Sequence, residues 1–288
     1  MAPPRSMSLS VLTIVRNRPG HLVQLVKGLQ RSSVLPDELI VVDMGSDSPV
    51  VLEDLPFPAR VVWMDGGRLP LAAARNAAAR SASNDHLLFL DVDCIPMRGL
   101  IRAVQGVLAS HNALVCAQVL YLGPDEARAE WDEQDLFKRA APHPARSFPG
   151  QGVRSEDNAG LFWSLVFGIT RQRFFALGGF DEEFVGYGAE DTDFGFRAKA
   201  AGVPLLFMGG PGAFHQFHQT FDPPLQHLDD IVSNAGTFHR RWGIWPMEGW
   251  LKAFAEMGLV ALSEDAITPL RPASCDELAQ ADSSRRSH

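Results

Sequence analysis

The sequence predicts an α/β fold: a mostly parallel sheet covered by helices on both faces, with a helical C-terminal extension. Two observations predict it. Short unbroken apolar runs, as expected of strands buried on both faces, alternate with stretches whose apolar residues recur at helical spacing. The 288 residues, 46 % of them hydrophobic and 21 % charged, also supply the apolar material for a sizeable core in an ordinary globular chain.

Each element follows from its residues. Leu9–Val15 reads as a first buried strand. Pro19 suits a first helical turn, and Leu22, Leu25, Val26 and Leu29 continue it as an apolar stripe. Residues 38–42 form a second strand ending at Asp43, and residues 60–64 a third. Residues 71–83 are alanine-rich and strongly helical. A fourth strand at His86–Leu90, a helix at 99–109 and a strand at 114–120 follow. Residues 142–158 hold many turn formers and no apolar period, so a long loop is expected there, either a lid or a surface excursion. A strand at 162–169, a short helix capped by Thr170, a helix at 190–200 and a strand at 205–208 come next. After Pro223-Pro224, the stripe of Leu228, Ile231, Val232, Ala235 and Phe238 marks a helix, and residues 247–258 the last one. Residues 8–245 read as one domain, 246–262 as its helical extension and 263–288 as a mobile polar tail.

Composition narrows the function. A formal net charge of -8 opposes nonspecific grip on nucleic acid, so no nucleic-acid partner is expected. No apolar run is long enough to cross a bilayer, and the opening MAPPRSMSLS has no signal-peptide stretch, so the expectation is a cytoplasmic protein. The three cysteines, Cys94, Cys116 and Cys275, lack CxxC spacing and indicate neither a disulfide framework nor a thiolate zinc site.

Three segments carry chemistry. In FLDVDCIP, two acids follow a greasy strand directly. Side chains two apart on extended backbone point the same way, so Asp91 and Asp93 converge at a strand end, where open parallel sheets bind ligands. Paired carboxylate oxygens suit a hard divalent cation, Mn²⁺ or Mg²⁺; a strand-end turn with two solvated acids is the bland alternative. In GGFDEEFVGYGAEDTDFGFR, glycines bracket acids and aromatics, and Glu190-Asp191 opens a helix. Carboxylates there favour the helix dipole, and the same position suits a general base on a rigid element. In PGAFHQFHQT, His215 and His218 lie three apart after a strand and become metal ligands if they face the acids.

Taken in order, TIVRNRPGHL, VVDMGSDS, LPLAAARNAAARSA, FLDVDCIP, GGFDEEFVGYGAEDTDFGFR and HQFH resemble the inverting GT-A fold glycosyltransferases of family 2. The C-terminal half is similar to the β-1,4-galactosyltransferases. The resemblance runs from about residue 8 to about residue 245. It implies a Rossmann-like fold and a nucleotide-sugar donor, UDP-linked by expectation. It implies a saccharide or lipid-linked acceptor, with a peripheral membrane contact left open. By the same resemblance, Thr13, Val15, Arg16 and Arg18 belong to the strand-one segment that holds the nucleotide, and Asp43 contacts the base. Arg75 and Asn76 lie against nucleotide and sugar. Asp91 contacts ribose or metal-bound water, and Asp93 binds the metal with His215 or His218. Tyr187 takes an aromatic acceptor position that is often Trp, and Trp163 either stacks on a sugar or sits in the core. Glu190 and Asp191 form the acidic pair, Asp191 being the base. Two other readings compete. A binding protein that has lost catalysis would not need Asp93, Glu190 and Asp191 together. A sugar-phosphate nucleotidylyltransferase wants a glycine-rich loop after the first strand, where this chain has Arg16-Asn17-Arg18.

Overall fold

A computed structural model describes residues 8–282. In chain order the elements are β1 (Leu9–Val15), α1 (Pro19–Gln30), β2 (Glu38–Asp43), β3 (Ala59–Trp63), α2 (Leu71–Ser81), β4 (His86–Leu90), β5 (Cys94–Pro96) and α3 (Leu100–Ser110). Then come β6 (Leu114–Tyr121), α4 (Glu133–Arg139), β7 (Ala141–Pro142), β8 (Val153–Ser155), β9 (Val166–Thr170), α5 (Arg171–Ala176), α6 (Glu190–Ala200) and β10 (Leu205–His215). The chain finishes with α7 (Leu228–Trp242), α8 (Glu248–Glu256), β11 (Val260–Leu262), β12 (Ile267–Pro269) and α9 (Cys275–Ala281).

The main sheet runs β3-β2-β1-β4-β9-β6-β10-β5, with β7 on β6 and β8 on β10. The pairs β3–β2, β2–β1, β1–β4 and β6–β10 are parallel. β9 runs antiparallel between β4 and β6. The sheet is therefore mixed but mostly parallel, as the alternation of elements predicts. Its faces are covered separately. Leu9, Val11 and Val15 of β1 join Leu22, Leu25 and Leu29 of α1 and Ile101, Val104 and Leu108 of α3 on one side. Leu12 and Ile14 join Ala72, Ala74, Ala78 and Ala79 of α2 and Phe194 of α6 on the other. Alternate residues of one strand thus feed two cores, which is why β1 and β2 are buried along their whole length and mostly apolar.

The second core is aromatic. Phe89 stacks on Phe167 with ring centroids 4.4 Å apart, and Phe180 on Phe194 at 4.6 Å. A third core holds α7, α8 and the β11–β12 hairpin together through Ile231, Leu251, Phe254 and Val260.

Three expectations need correction. The strand expected to stop at 208 continues to His215, because Gly209-Gly210-Pro211-Gly212 forms a bulge and not a break. A Cβ on Gly212 would lie 1.8 Å from the Gln118 carbonyl oxygen, so only glycine lets the bulged strand run this close to β6. The segment 142–158 is not structureless: β8 pairs with β10, and Phe148 stacks on Phe207 at 4.5 Å. The expected mobile tail is built in as far as residue 282. Ser274 caps α9 in a reciprocal capping box with Glu277, and Asp282 bridges to Phe221. The last residues of that expected tail, 283–288, lie outside the described residues, as does most of the opening MAPPRSMSLS.

Asp193 ties the third core to the second. Its carboxylate, fully buried, accepts from Arg197 Nε at 2.7 Å, Arg241 Nη1 at 2.7 Å and Trp242 Nε1 at 3.0 Å. Asp193→Ala removes the acceptor shared by Arg197, Arg241 and the Trp242 indole, while Arg241 keeps Asp181, and should cost about 1–3 kcal/mol of unfolding free energy. Urea denaturation monitored by tryptophan fluorescence measures this; a loss under about 1 kcal/mol would refute the tie.

Candidate active site

The site gathers at the carboxyl ends of β1, β2 and β4. β4 ends at Leu90, and Asp91 follows at once, its backbone N–H donating to the Leu165 carbonyl at 2.8 Å. The chain turns back into β5, which runs antiparallel to the end of β10 and sets His215 opposite Cys94. Gln216 N–H then donates to the Asp93 carbonyl at 2.7 Å. Two motifs far apart in sequence become neighbours through this short ladder.

Asp93 is buried, 6 % exposed. Its Oδ1 lies 3.5 Å from His215 Nε2, and its Oδ2 lies 3.5 Å from His218 Nε2 and accepts from Arg18 Nη1 at 2.7 Å. Burial pushes its carboxyl up, but His215, Arg18 and His218 outweigh that and hold it below the usual carboxylate range. Asp93, His215 and His218 each offer one ligand atom, all within 4.8 Å of one another. A donor set of one carboxylate and two imidazoles fits a divalent cation. It suits Mn²⁺ better than Mg²⁺, which takes oxygen ligands almost alone. The His215 ring is held by stacking on Tyr121 at 4.8 Å. His218 Nδ1 lies 3.0 Å from the Gln219 carbonyl oxygen; a proton donated there leaves the Nε2 lone pair facing Asp93, as a ligand requires.

Arg75 links this cluster to the acidic pair on α6. Its Nη2 donates to Asp91 Oδ1 at 3.1 Å and its Nη1 to Glu190 Oε1 at 3.0 Å. Burial pushes the Asp91 carboxyl up to about 6, against the pull of Arg75. Burial and the neighbouring Asp191 push Glu190 up to about 7, and its Oε2 has no partner. Asp191 is also raised by burial, opposed by Arg75 and by the Thr192 and Ser164 N–H groups, which reach it at 2.7 and 3.4 Å. The turn before α6 is strained: Ala189 sits at φ 70°, with Gly186 and Gly188 at 83° and 98°. Two α7 side chains hold it. Asn234 Nδ2 donates to the Val185, Tyr187 and Gly188 carbonyls, and Asp230 accepts from Tyr187 N–H at 3.1 Å.

The other expected residues divide. Arg16 Nη1 donates to the Gly66 and Gly67 carbonyls, and Asp43, buried at the end of β2, accepts from Ser46 N–H at 2.9 Å. Both border the same strand ends. Tyr187 stacks on His227 at 4.4 Å and joins the third core. Trp163 is half-buried, with Arg146 over its ring at 5.0 Å and His143 against it edge-on. Three residues depart from expectation. Asn76 lies in the core: its Nδ2 donates to Phe180 O and Glu182 Oε1, and its Oδ1 accepts from Phe180 N–H, so the amide braces the segment at Phe180–Glu182 and leaves nothing for a donor. The Val15 side chain is buried among the first core, and its carbonyl is taken by Met44 N–H. Thr13 is 2 % exposed, inside β1 and short of its end.

Sequence reasoning missed three neighbours. His21, in the first turn of α1, lies 3.3 Å from the Phe217 carbonyl oxygen with its ring 6.4 Å from that of His218; its place three residues after Arg18 on a helix was the available signal. Arg146 is buried against Phe148, Trp163 and Phe207, with Nε and Nη2 unpartnered, and nothing in its sequence context marks it. Asp193, three residues into α6, carries no signal beyond its place in an acidic first turn.

The family model for glycosyl transferase family 2 matches residues 10–175. The chain belongs to that family. A second model, described as the N-terminal domain of galactosyltransferase, matches residues 153–219, so the family 2 chain carries both halves of the expected likeness. It is 29 % identical over 224 residues to validoxylamine A glucosyltransferase of Streptomyces hygroscopicus subsp. limoneus, covering 68 % of this chain and 49 % of that one. To the pre-mycofactocin glycosyltransferase of Mycobacterium tuberculosis (strain CDC 1551 / Oshkosh) it is 30 % identical over 217 residues, covering 71 % and 42 %. The chain thus spans about half the length of the curated relatives it matches. Among solved structures, S. aureus TarS 1-349 aligns with a TM-score of 0.54 at 14 % identity, covering 88 % of this chain and 71 % of that one. GalNAc-T7 with UDP, GalNAc and Mn2+ aligns at 0.57 and 14 %, covering 88 % and 48 %. These likenesses establish the GT-A fold. Among the described residues no helix is long and apolar enough to cross a membrane.

Glu190 makes the site's acidity measurable. Burial sets the Glu190 carboxyl at about 7, above its ordinary 4.5, so between those values the folded state binds more protons. Stability then falls as pH rises through that window. Glu190→Gln removes the Glu190 share of this slope and should gain on wild type across it, by on the order of 3 kcal/mol above pH 7. Thermal melts of both proteins across the window test it, and a constant difference would contradict it.

Proposed function

We propose that the chain is a metal-dependent, inverting glycosyltransferase that moves a sugar from a nucleotide-sugar donor to a hydroxyl of a saccharide or lipid-linked acceptor. The observation that carries this reading is the convergence of Asp93, His215 and His218 at the sheet's carboxyl edge, joined through Arg75 to Glu190 and Asp191. A divalent cation bound by Asp93 and the two histidines would neutralise charge that builds on the departing diphosphate.

The protein's own groups do the rest. Arg18 aims a charge-assisted donor into the cleft beside Asp93. Asp43 accepts from the base, and Arg16 holds the loop at Gly66-Gly67 that borders it. Asp191, on the rigid first turn of α6, takes the proton from the attacking hydroxyl. Burial raises its carboxyl, which makes it a better proton acceptor than a solvated aspartate. Glu190 keeps Arg75 in place between the two halves of the site. Trp163 beside Ser164, and Tyr187 at the strained turn, would face the acceptor, and attack from the side opposite the leaving group would invert the anomeric centre. The names of the two relatives above, a glucosyltransferase and a glycosyltransferase, support this reaction class. The UDP and Mn2+ in the GalNAc-T7 crystal support a UDP-sugar and manganese.

Thermal stability measured with UDP, GDP, TDP and CMP, each with Mn²⁺ or chelator, tests the donor side. One nucleotide at about 100 times its dissociation constant should add roughly 2.7 kcal/mol, and only with metal. Asp93→Asn should abolish that metal-dependent gain. Asp191→Asn should keep it and lose about 10²–10⁴-fold in transfer rate. Full transfer by Asp191→Asn would remove it as the base.

A further inference from the structure

The charges around Asp93 point to a second role for Arg18: it makes metal binding depend on the donor's diphosphate. The inference rests on the metal-dependent reading above. Arg18 Nη1 lies 2.7 Å from Asp93 Oδ2, the same oxygen that His218 Nε2 faces at 3.5 Å. Any cation held by Asp93 and the two imidazoles therefore shares its carboxylate with a guanidinium. Asp93 is nearly closed to solvent, its side chain 9 % exposed, and the Arg18 side chain is 36 % exposed, so water screens the two positive charges only in part.

The other acids of the site do not engage Arg18, because Asp91 and Glu190 both bond the buried Arg75. The remaining groups at the cluster, His21, His215 and His218, bring no negative charge. Arg18 already occupies the Asp93 oxygen that His218 faces, so a dication alone competes with the guanidinium for it. A diphosphate changes this, because its oxygens accept from Arg18 and bind the cation together. Metal and nucleotide then strengthen each other, by the same factor in either order of addition. Arg18 is in this respect a positioning residue that penalises metal without donor.

The test measures Mn²⁺ affinity directly, by electron paramagnetic resonance of free Mn²⁺, with and without the nucleotide that gives the largest metal-dependent gain above. Arg18→Met should bind Mn²⁺ about tenfold more tightly than wild type without nucleotide, and the nucleotide's enhancement should shrink by a similar factor. Arg18→Lys keeps the charge and should stay near wild type. Arg18→Gln serves as a second neutral variant if circular dichroism shows Arg18→Met to be misfolded. Unchanged nucleotide-free affinity in the neutral variants overturns this inference and leaves the proposed function standing. Absence of Mn²⁺ binding in wild type and variants, even with nucleotide, overturns both.

Discussion

The Arg75 guanidinium allows the rest of the site to exist. Asp91, Asp93, Glu190 and Asp191 converge from a strand end and a helix start, and buried like charges repel strongly. Arg75 is itself buried, its side chain 6 % exposed, and it bonds one acid from each element. It can stand there because α2 is built of alanine. Ala72, Ala74, Ala78 and Ala79 let the helix lie close against the sheet, so the single long side chain between them reaches the end of β4. The helix-forming composition and the charge compensation are one design. Replacing Arg75 would leave the buried Glu190 and the half-buried Asp91 without their shared partner, a more costly change than losing the ion pair itself.

The remaining order comes from backbone devices. The glycine bulge in β10 adds residues to one strand only, and that offset lets its last three residues pair with β5. Asn234 and Asp230 of α7 hold the strained turn at Tyr187 from behind. On the other side, Gln219 donates to Asp282 at 2.7 Å, so the end of α9 buttresses the segment that follows His218. The C-terminal elements therefore set the geometry of both the histidine motif and the acidic motif.

Several costs concentrate here. Glu190 Oε2 and two Arg146 nitrogens are buried without partners, and Ala189 holds a left-handed conformation. Each lowers stability, and such features persist where a site needs a fixed charge or an aimed side chain.

The sequence alone determined the wound half of the sheet, because β1, β2 and β4 are apolar runs set between helices with clear periodicity. It also marked the acids and histidines that the fold gathers at the candidate site, because such residues placed after apolar strands have few structural reasons to be there. Only the tertiary structure decided the partners. β5 is three residues long, and Gly209-Gly210-Pro211-Gly212 looks like a breaker, so the ladder that joins Asp93 to His215 leaves no periodic trace. Asn76 stands next to Arg75 in sequence, yet one helical step turns it about 100° away, toward Phe180 and not toward Asp91. Local pattern reports which face of an element is buried. What that face meets is settled by contacts between distant segments, and those exist only once the chain has folded.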